Sequence, residues 1–239
     1  MPTDYFQFKQ FKVKHADSTM KVGTDAVLLG TLAKLPFSGK ILEVGTGCGV
    51  VSLIIAQRCQ SYITSIDIHQ NSILEAKSNF EESPWNDKLS AQLISFQEFA
   101  KKEKQNRFEL IISNPPFFQN DLKSPDANRN FARHNDNLSY SDFLSASRDL
   151  LSDFGNLSVI LPAPESILFI DLAKEDGFHL HKKIEIKPKP DKAFNRAILI
   201  FGNYEKEIEI AVLSIRNSNN SYTEDYLKLT KDFYISLKP

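Results

Sequence analysis

Two alternating patterns of apolar residues run along the chain from residue 40 onward. Five short runs rich in Ile, Leu and Val have the length of buried strands, and four longer segments between them have helical spacing. The strand-like runs are KILEVG (40–45), YITSIDI (62–68), LSAQLIS (89–95), FELIIS (108–113) and NLSVILP (156–162). The helical segments are 50–59, 71–82, 139–151 and 164–177, the last closing at Gly177 as a C-terminal cap. This alternation predicts an α/β fold with a mostly parallel sheet and helices on both faces.

The two ends of the chain add elements to this pattern. Residues 179–188 and 195–204 resemble two strands without a helix between them, and they predict an antiparallel edge on the sheet. Segment 5–15 alternates apolar residues with lysines and has a register break, a bulge or turn at Gln10. Ser221 and Glu224 have the spacing of a capping box that opens a final helix. We expect residues 1–39 to form a hairpin extension packed on a core domain of residues 40–239.

Composition narrows the class of protein. The apolar fraction of 41% and the charged fraction of 25% are those of an ordinary globular domain. No apolar run is long enough to span a bilayer, and the start of the chain does not resemble a signal peptide. Cys48 and Cys59 have no metal-ligand spacing. We therefore expect a cytoplasmic protein with no metal and no membrane segment.

The net charge of −1 gives no global attraction to nucleic acid, so any polyanion contact depends on local clusters of cations. Taken singly, such a cluster is more often a solvated surface than a binding site. The clusters contain Lys9, Lys12, Lys14 and Lys21, then Arg129, Arg133 and His134, and finally Lys182, Lys183, Lys187, Lys189, Lys192 and Arg196.

A glycine-rich loop follows the first strand of the predicted sheet. Gly45, Gly47 and Gly49 stand between that strand and a helix, where glycine permits positive φ and close approach of a ligand. The dinucleotide-binding spacing requires a glycine at Val50, and no Lys-Ser or Lys-Thr of a P-loop follows. With Glu43 two residues before the first glycine, the loop resembles the S-adenosylmethionine-binding loop of class I methyltransferases. The Glu43 carboxylate would then accept from the ammonium group of that ligand, through water or backbone.

The ends of the second and third strands provide further candidates. Asp67, followed by Ile68, is placed to accept hydrogen bonds from both hydroxyls of a ribose, although a capping aspartate in a tight turn is the alternative. Ser95 occupies the position where methyltransferases of this type often have an adenine-reading aspartate, and Phe96 is placed to cover an adenine ring. These residues complete the predicted cofactor site.

The fourth strand ends in Asn114, Pro115, Pro116 and Phe117. Proline has no N–H, so this segment presents acceptors without competing donors. The Asn114 side-chain oxygen and the Pro115 carbonyl are placed to accept both hydrogens of a planar amino group, which favours a pyramidal nitrogen whose lone pair faces a methyl donor. Phe117 would stack on a base swung out of its normal position. The alternative is a strand end broken by prolines with phenylalanines in the core.

The whole chain resembles the bacterial tRNA1(Val) adenine-37 N6-methyltransferases. The resemblance rests on FQFKQFKVKH (6–15), MKVGTDAVLLG (20–30), SPW (83–85), LIISNPPFF (110–118) and YTEDYLKLTKDFY (222–234). It implies a Rossmann-like class I methyltransferase fold with a seven-stranded sheet, S-adenosylmethionine as cofactor, and the anticodon loop of tRNA as partner. It also implies that Thr24 and Asp25 lie against the methionine end of the cofactor. Ser95 departs from the acid that is common in the family at this position.

Substrate contacts and competing functions stay open at this point. Arg129, Arg133 and His134 follow the catalytic motif, where the last two either touch phosphate or tie the loop down. Lys9 and Lys12 either follow tRNA or belong to an amphipathic hairpin. Methylation of the 2-amino group of an rRNA guanine is the principal alternative. Glutamine methylation of release factors is less favoured, because about 40 residues before the glycine loop are too few for that family's helical domain. We expect the protein to be a monomer.

Overall fold

The computed structural model describes residues 4–18, 20–115 and 138–237 of the chain. Within them lie ten strands: β1 Tyr5–Gln7, β2 Lys12–Lys14, β3 Lys40–Val44, β4 Tyr62–Asp67, β5 Leu89–Leu93, β6 Phe108–Ser113, β7 Leu151–Pro162, β8 His179–Lys187, β9 Arg196–Gly202 and β10 Glu209–Ser214. The same residues form seven helices: α1 Thr24–Leu32, α2 Val50–Arg58, α3 Gln70–Glu81, α4 Phe96–Lys102, α5 Tyr140–Leu150, α6 Ala163–Glu175 and α7 Glu224–Thr230. No helix in these ranges is long and apolar enough to cross a membrane.

Eight of the strands form one sheet in the order β10-β8-β9-β7-β6-β3-β4-β5. Every neighbouring pair is parallel except the two pairs that include β9, which runs against both β7 and β8. The predicted mostly parallel α/β sheet is therefore confirmed. Because the strands share one direction, their carboxyl ends meet at one edge of the sheet, here called the carboxyl edge, and ligands of open α/β sheets bind outside that edge.

Two details of the predicted sheet were wrong. The sheet has eight strands instead of seven, and its outermost strand on one side is β10, which pairs parallel to β8. The antiparallel strand β9 lies inside the sheet, between β7 and β8, and does not form the edge. The segment of β10 was not predicted, although its residues have the composition of a strand. In the structure Ile210 and Val212 are exposed and only Leu213 of this strand is buried, as is common for an edge strand.

The helices show which local signals were reliable. Gly177 has the expected left-handed conformation after α6, with φ of 86°, and Phe178 N–H bonds the Ala173 carbonyl at 2.8 Å. The helix α7 is capped by Thr223 and not by Ser221, since the Thr223 hydroxyl accepts from Tyr226 N–H at 3.2 Å. The helices α1 and α4 were not predicted from periodicity. The first is buried along most of its length and the second has only seven residues, so neither displays an amphipathic stripe.

The sheet separates two hydrophobic cores. One contains buried side chains from α1, α2 and α3 together with the N-terminal hairpin and α7. The other contains side chains from α4, α5 and α6. The three-layer arrangement explains why the central strands are nearly continuous apolar runs, since both of their faces are covered.

The N-terminal strands β1 and β2 form an antiparallel hairpin against the first core. The register break predicted at Gln10 is the hairpin turn, in which Phe8 N–H bonds the Phe11 carbonyl at 2.9 Å. Phe8, Phe11 and Val13 are buried. The predicted division of the chain at residue 40 stays a prediction.

Asn79 of α3 joins the hairpin to the rest of the molecule. Its side-chain oxygen accepts from Lys14 N–H at 2.8 Å, and its amide nitrogen donates to the carbonyls of Lys14 and Cys48, both at 2.9 Å. Because Cys48 belongs to the glycine loop, one buried amide connects three separate segments.

Replacing Asn79 with alanine should therefore destabilise the fold. Asn79→Ala leaves backbone groups without partners in a buried place, and the free energy of unfolding should fall by about 2–4 kcal/mol. Urea denaturation followed by circular dichroism measures this loss. Asn71→Ala, which removes an exposed amide from the same helix, should change the free energy by less than about 0.5 kcal/mol. Equal effects of the two substitutions would contradict the role given to Asn79.

Candidate active site

The glycine loop lies at the carboxyl edge between β3 and α2. Gly45 N–H and Thr46 N–H both bond the Ile66 carbonyl of β4, at 2.9 and 3.1 Å. Gly49 has φ of 83°, and a Cβ atom built on it would come within 2.5 Å of the Phe80 ring. Glycine is therefore required at this position both by the backbone conformation and by the close approach of α3.

Glu43 lies directly under this loop and is fully buried. Its Oε2 atom accepts from the Thr46 hydroxyl at 2.7 Å and from the hydroxyl of Ser52, which lies in the first turn of α2. Burial raises the pKa of the Glu43 carboxyl to about 7 against the opposing effect of these bonds. The observed partners of Glu43 are thus the loop and the start of α2.

Asp67 fastens the other side of the loop. One carboxylate oxygen accepts from Gly47 N–H at 2.9 Å, and the other accepts from His69 N–H at 2.9 Å. A carboxylate oxygen has more than one lone pair, so the group retains capacity for further donors. Asp67 lines both of the cavities described next. The turn-capping role considered for it in the sequence is present, and the predicted ribose contact stays a prediction.

A cavity of about 320 Å³ opens beside Asp67 at the carboxyl edge. Its walls are mainly apolar and include Ile68, Ser95 and Phe96, whose predicted contacts with the cofactor stay predictions. Its lining consists of Val44, Gly45, Ile66, Asp67, Ile68, Ile94, Ser95, Phe96, Gln97 and Leu138. A mainly apolar pocket of this size with one carboxylate suits a flat heterocycle joined to a polar sugar.

Ser95 and Phe96 have additional structural roles. The Ser95 hydroxyl caps α4 by accepting from Glu98 N–H at 3.3 Å, and it also bonds the Glu98 carboxylate. The Phe96 ring is buried and lies 5.5 Å from the ring of Phe143. Gln97, which the sequence analysis did not single out, also lines the cavity. Its signal was concealed because α4 was not recognised as a helix starting at the end of β5.

Asn114 lies in a second, narrower pocket that continues from the glycine loop. The last pair of the β3–β6 ladder is Val44 with Ser113, and the Ser113 hydroxyl bonds the Val44 carbonyl at 2.8 Å. The next residues along the two strands are Gly45 and Asn114, so both line the same pocket. The full lining is Met20, Lys21, Ala26, Glu43, Gly45, Thr46, Gly47, Cys48, Val50, Val51, Asp67 and Asn114.

The first turn of α1 forms part of the wall of this pocket. Ala26 lines the pocket, and Thr24 and Asp25 precede it in the first turn of the helix. The Asp25 carboxylate pairs with the Arg196 guanidinium at 2.8 Å from Nε. Arg196 begins β9, so this ion pair joins α1 to a strand that lies two positions from β6 in the sheet. Sequence reasoning missed the pair because 171 positions separate the two residues.

Some predicted residues lie away from the pocket or outside the described ranges. The Lys9 ammonium donates to the Lys231 carbonyl at 2.6 Å, and the Lys12 ammonium lies 3.7 Å from the centre of the Tyr5 ring. Phe11 of the same hairpin packs edge-on against Trp85, which precedes β5. These contacts place the hairpin turn towards the amino ends of the strands, opposite Asn114. Pro116, Phe117, Arg129, Arg133 and His134 lie outside the described residues.

Comparisons with known proteins agree with this arrangement. Residues 14–161 match the methyltransferase small domain family. A Flavobacterium johnsoniae protein named tRNA1(Val) (adenine(37)-N6)-methyltransferase is 40% identical over 97% of this chain and 100% of its own length. A Bacteroides fragilis protein of the same name is 36% identical over 99% and 100% of the two chains. The crystal structure of a predicted O-methyltransferase from Agrobacterium tumefaciens has a TM-score of 0.66 at 16% identity, covering 87% and 96% of the two chains.

The fold and the pocket at the carboxyl edge define an S-adenosylmethionine-dependent methyltransferase of the Rossmann-like class. The chain belongs to the methyltransferase small domain family. Within it, the chain belongs to the family of the tRNA1(Val) (adenine(37)-N6)-methyltransferases, as its resemblance to that family predicted.

The raised pKa of Glu43 has a measurable consequence. The carboxyl in the unfolded chain, with a pKa of 4.5, loses its proton before the folded carboxyl, with a pKa of about 7. The stabilising contribution of Glu43 is therefore complete below pH 4.5 and is lost as pH rises to about 7. Glu43→Gln cannot titrate, so its stability relative to the native protein should rise across this window by on the order of 3 kcal/mol.

Urea unfolding of both proteins at closely spaced pH values between 4 and 8 checks this difference. The matched control is Glu81→Gln, at an exposed glutamate of α3, which should keep the native dependence of stability on pH. Parallel pH profiles for the native protein and Glu43→Gln would mean that the folded carboxyl titrates as it does in the unfolded chain.

Proposed function

We propose that this protein transfers a methyl group from S-adenosylmethionine to the exocyclic 6-amino group of adenine-37 in tRNA1(Val). The observation that carries the proposal is the position of Asn114 at the end of β6, in one pocket with Gly45, Gly47 and Glu43. The methyl acceptor and the methyl donor would thus meet at the carboxyl edge. The names of the full-length relatives supply the particular nucleotide.

Asn114 and Pro115 are proposed to hold the amino group. An exocyclic amine is a poor nucleophile because its lone pair is delocalised into the ring. The Asn114 side-chain oxygen and the Pro115 carbonyl would each accept one of its hydrogens and favour a pyramidal nitrogen. This stabilises the transition state more than the ground state. The residue after Pro115 is a proline, which has no N–H to compete for these acceptors.

The described residues suit the cofactor. The cavity of about 320 Å³ beside Phe96 would take the adenine, Asp67 would accept from the ribose, and the methionine end would lie along the loop Gly45–Gly49. Glu43 supports this part of the site from beneath by fixing the loop, and Thr24 and Asp25 would close it from the side of α1. The cofactor supplies an electrophilic methyl group on a sulfonium. The protein residues orient the acceptor towards it and exclude water from the pocket.

The enzyme is proposed to act in the cytoplasm as one methyltransferase domain with an N-terminal extension. A tRNA substrate places the enzyme in the cytoplasm. Residues 1–39 are proposed to act as an extension of the methyltransferase domain of residues 40–239, because the hairpin is fixed to it by Asn79 and by buried phenylalanines. The expected action as a monomer without a metal ion stays a prediction.

One assay separates the proposed substrate from its alternatives. The purified protein is incubated with labelled S-adenosylmethionine and, separately, with total tRNA, ribosomal RNA and a release factor. Mass analysis of ribonuclease fragments of the RNAs and of peptides from the release factor then locates the methyl group. We expect N6-methyladenosine at position 37 of tRNA1(Val) alone. Label in ribosomal guanine or in the release factor, with none in tRNA, would replace the proposed substrate.

The role of the Asn114 amide leads to a separate prediction. Asn114→Ala removes one of the two acceptors, so the rate of methyl transfer should fall by roughly 10²–10³-fold or more. Binding of S-adenosylmethionine, measured by isothermal titration calorimetry, should change by less than about threefold because the loop and Asp67 remain. Asn86→Ala, which removes an exposed amide from the connection between α3 and β5, is the matched control and should retain most of the rate. An Asn114→Ala enzyme with the native rate would exclude the proposed role.

A further inference from the structure

The connection between β8 and β9, residues 188–195, lies at the same edge of the sheet as Asn114. The strand β8 runs parallel to β10, and β9 runs against β7 with Pro162 opposite Arg196. Pro162 is at the carboxyl end of β7, so the connection emerges beside it. The connection from β10 to α7, residues 215–223, emerges at this edge as well. The placement of the late cations at this edge depends on the fold and has no local signal in the sequence.

Backbone hydrogen bonds hold the β8–β9 connection in a fixed shape. Lys192 N–H bonds the Lys189 carbonyl at 3.1 Å, and Asn195 N–H bonds the Ile186 carbonyl at 3.0 Å. Arg216 N–H bonds the Pro188 carbonyl at 3.1 Å, which joins the two connections to each other. Two prolines in the first connection further restrict its backbone. Cations on such a frame lose little backbone entropy on binding a partner.

Four cations at this edge form what we call the edge patch: Lys187, the last residue of β8, and Lys189, Lys192 and Arg216 on the two connections. Among the described residues, Lys187, Lys189 and Arg216 have no carboxylate within ion-pair distance. Lys192 has only Asp191, at 3.7 Å and exposed, and such a pair contributes little. The edge patch therefore presents positive charge that neighbouring carboxylates leave largely uncompensated.

Other late cations are neutralised within the fold. Lys182 pairs with Glu209, and Lys183 pairs with Glu185 at 2.8 Å. Arg196 pairs with Asp25. The late cations look uniform in the sequence. The structure divides them into those paired closely with carboxylates and those of the edge patch, whose only carboxylate partner is the exposed Asp191.

The edge patch lies at a suitable distance from the amino-group site. Strands in a sheet are about 4.8 Å apart, and three spacings separate β6 from β8 while four separate it from β10, giving roughly 14–19 Å. The ion pair between Arg196 and Asp25 fixes the end of the β8–β9 connection to the helix that borders the Asn114 pocket. When a nucleotide of an RNA turns into that pocket, the neighbouring phosphates of the same RNA would lie within this distance of it.

We propose that the edge patch binds the phosphodiester backbone of the tRNA whose adenine enters the Asn114 pocket. This inference rests on the proposed function and assigns the RNA contact to a surface different from the N-terminal lysines. The bound groups are phosphates, so the contact positions the RNA without reading its sequence. It strengthens binding of the substrate and leaves the chemical step to Asn114 and its neighbours.

A lysine-to-alanine triple variant tests the edge patch. Lys187→Ala, Lys189→Ala and Lys192→Ala are combined, and binding of an unmodified full-length tRNA1(Val) transcript is measured at several salt concentrations. We expect the Kd and the KM for this RNA to rise by on the order of tenfold or more, and the slope of log K against log salt to fall in magnitude by about 2. The kcat and the Kd for S-adenosylmethionine should stay within about twofold, since no cofactor contact is lost.

The matched control removes the same charge at the opposite edge. Lys101, Lys102 and Lys104 are exposed at the end of α4, near the amino end of β6. Their triple alanine variant should bind the transcript with the native Kd and salt slope. Native RNA binding by the edge-patch variant, or equal losses in both variants, would overturn the inference while methylation by the native enzyme still supports the proposed function. A native enzyme that neither binds nor methylates the transcript would overturn both.

Discussion

A buried carboxylate under a turning backbone is the interaction on which the site depends. Where β3 ends, the chain must reverse into α2, and Glu43 holds both sides of that turn through Thr46 and Ser52. Asp67 holds the middle of the turn through Gly47 N–H. Side chains beneath and beside the loop therefore fix its conformation, and its outer surface remains accessible to a ligand. A loop fixed in advance loses little entropy when the ligand binds.

The parallel sheet converts this local arrangement into an active site. Asn114 follows Gly45 by about 70 residues, yet the β3–β6 ladder brings the two to neighbouring positions because Val44 pairs with Ser113. The same geometry brings Asp67 to the loop through β4. Each strand end contributes one polar group to a common edge, while the two apolar cores keep the strands in register. The position of the site is thus a consequence of strand direction.

The sequence predicted what depends on neighbouring residues and strand order. The central strands, the four predicted helices, the glycine loop and the position of Asn114 after a strand all have local signals, and the structure has them. It did not predict β10, although the segment has the composition of a strand, or α4, whose seven residues are too few to show a helical period. The Asp25–Arg196 pair was equally inaccessible, since it depends on how α1 packs against the start of β9. A contact between residues far apart in the sequence has no local signal and becomes visible only when the fold is known.

The difference between local sequence signals and contacts made by the fold matters most for the distribution of charge. The chain has a net charge of −1, and its late cations look equivalent in the sequence. In the folded chain Lys182 and Lys183 lie along the sheet beside carboxylates, whereas Lys187 and Lys189 lie at its edge without them. An ammonium already paired offers little additional attraction to a polyanion, because its field is cancelled at short range. A protein with almost no net charge can therefore attract a polyanion to one edge, provided that its carboxylates lie elsewhere in the fold.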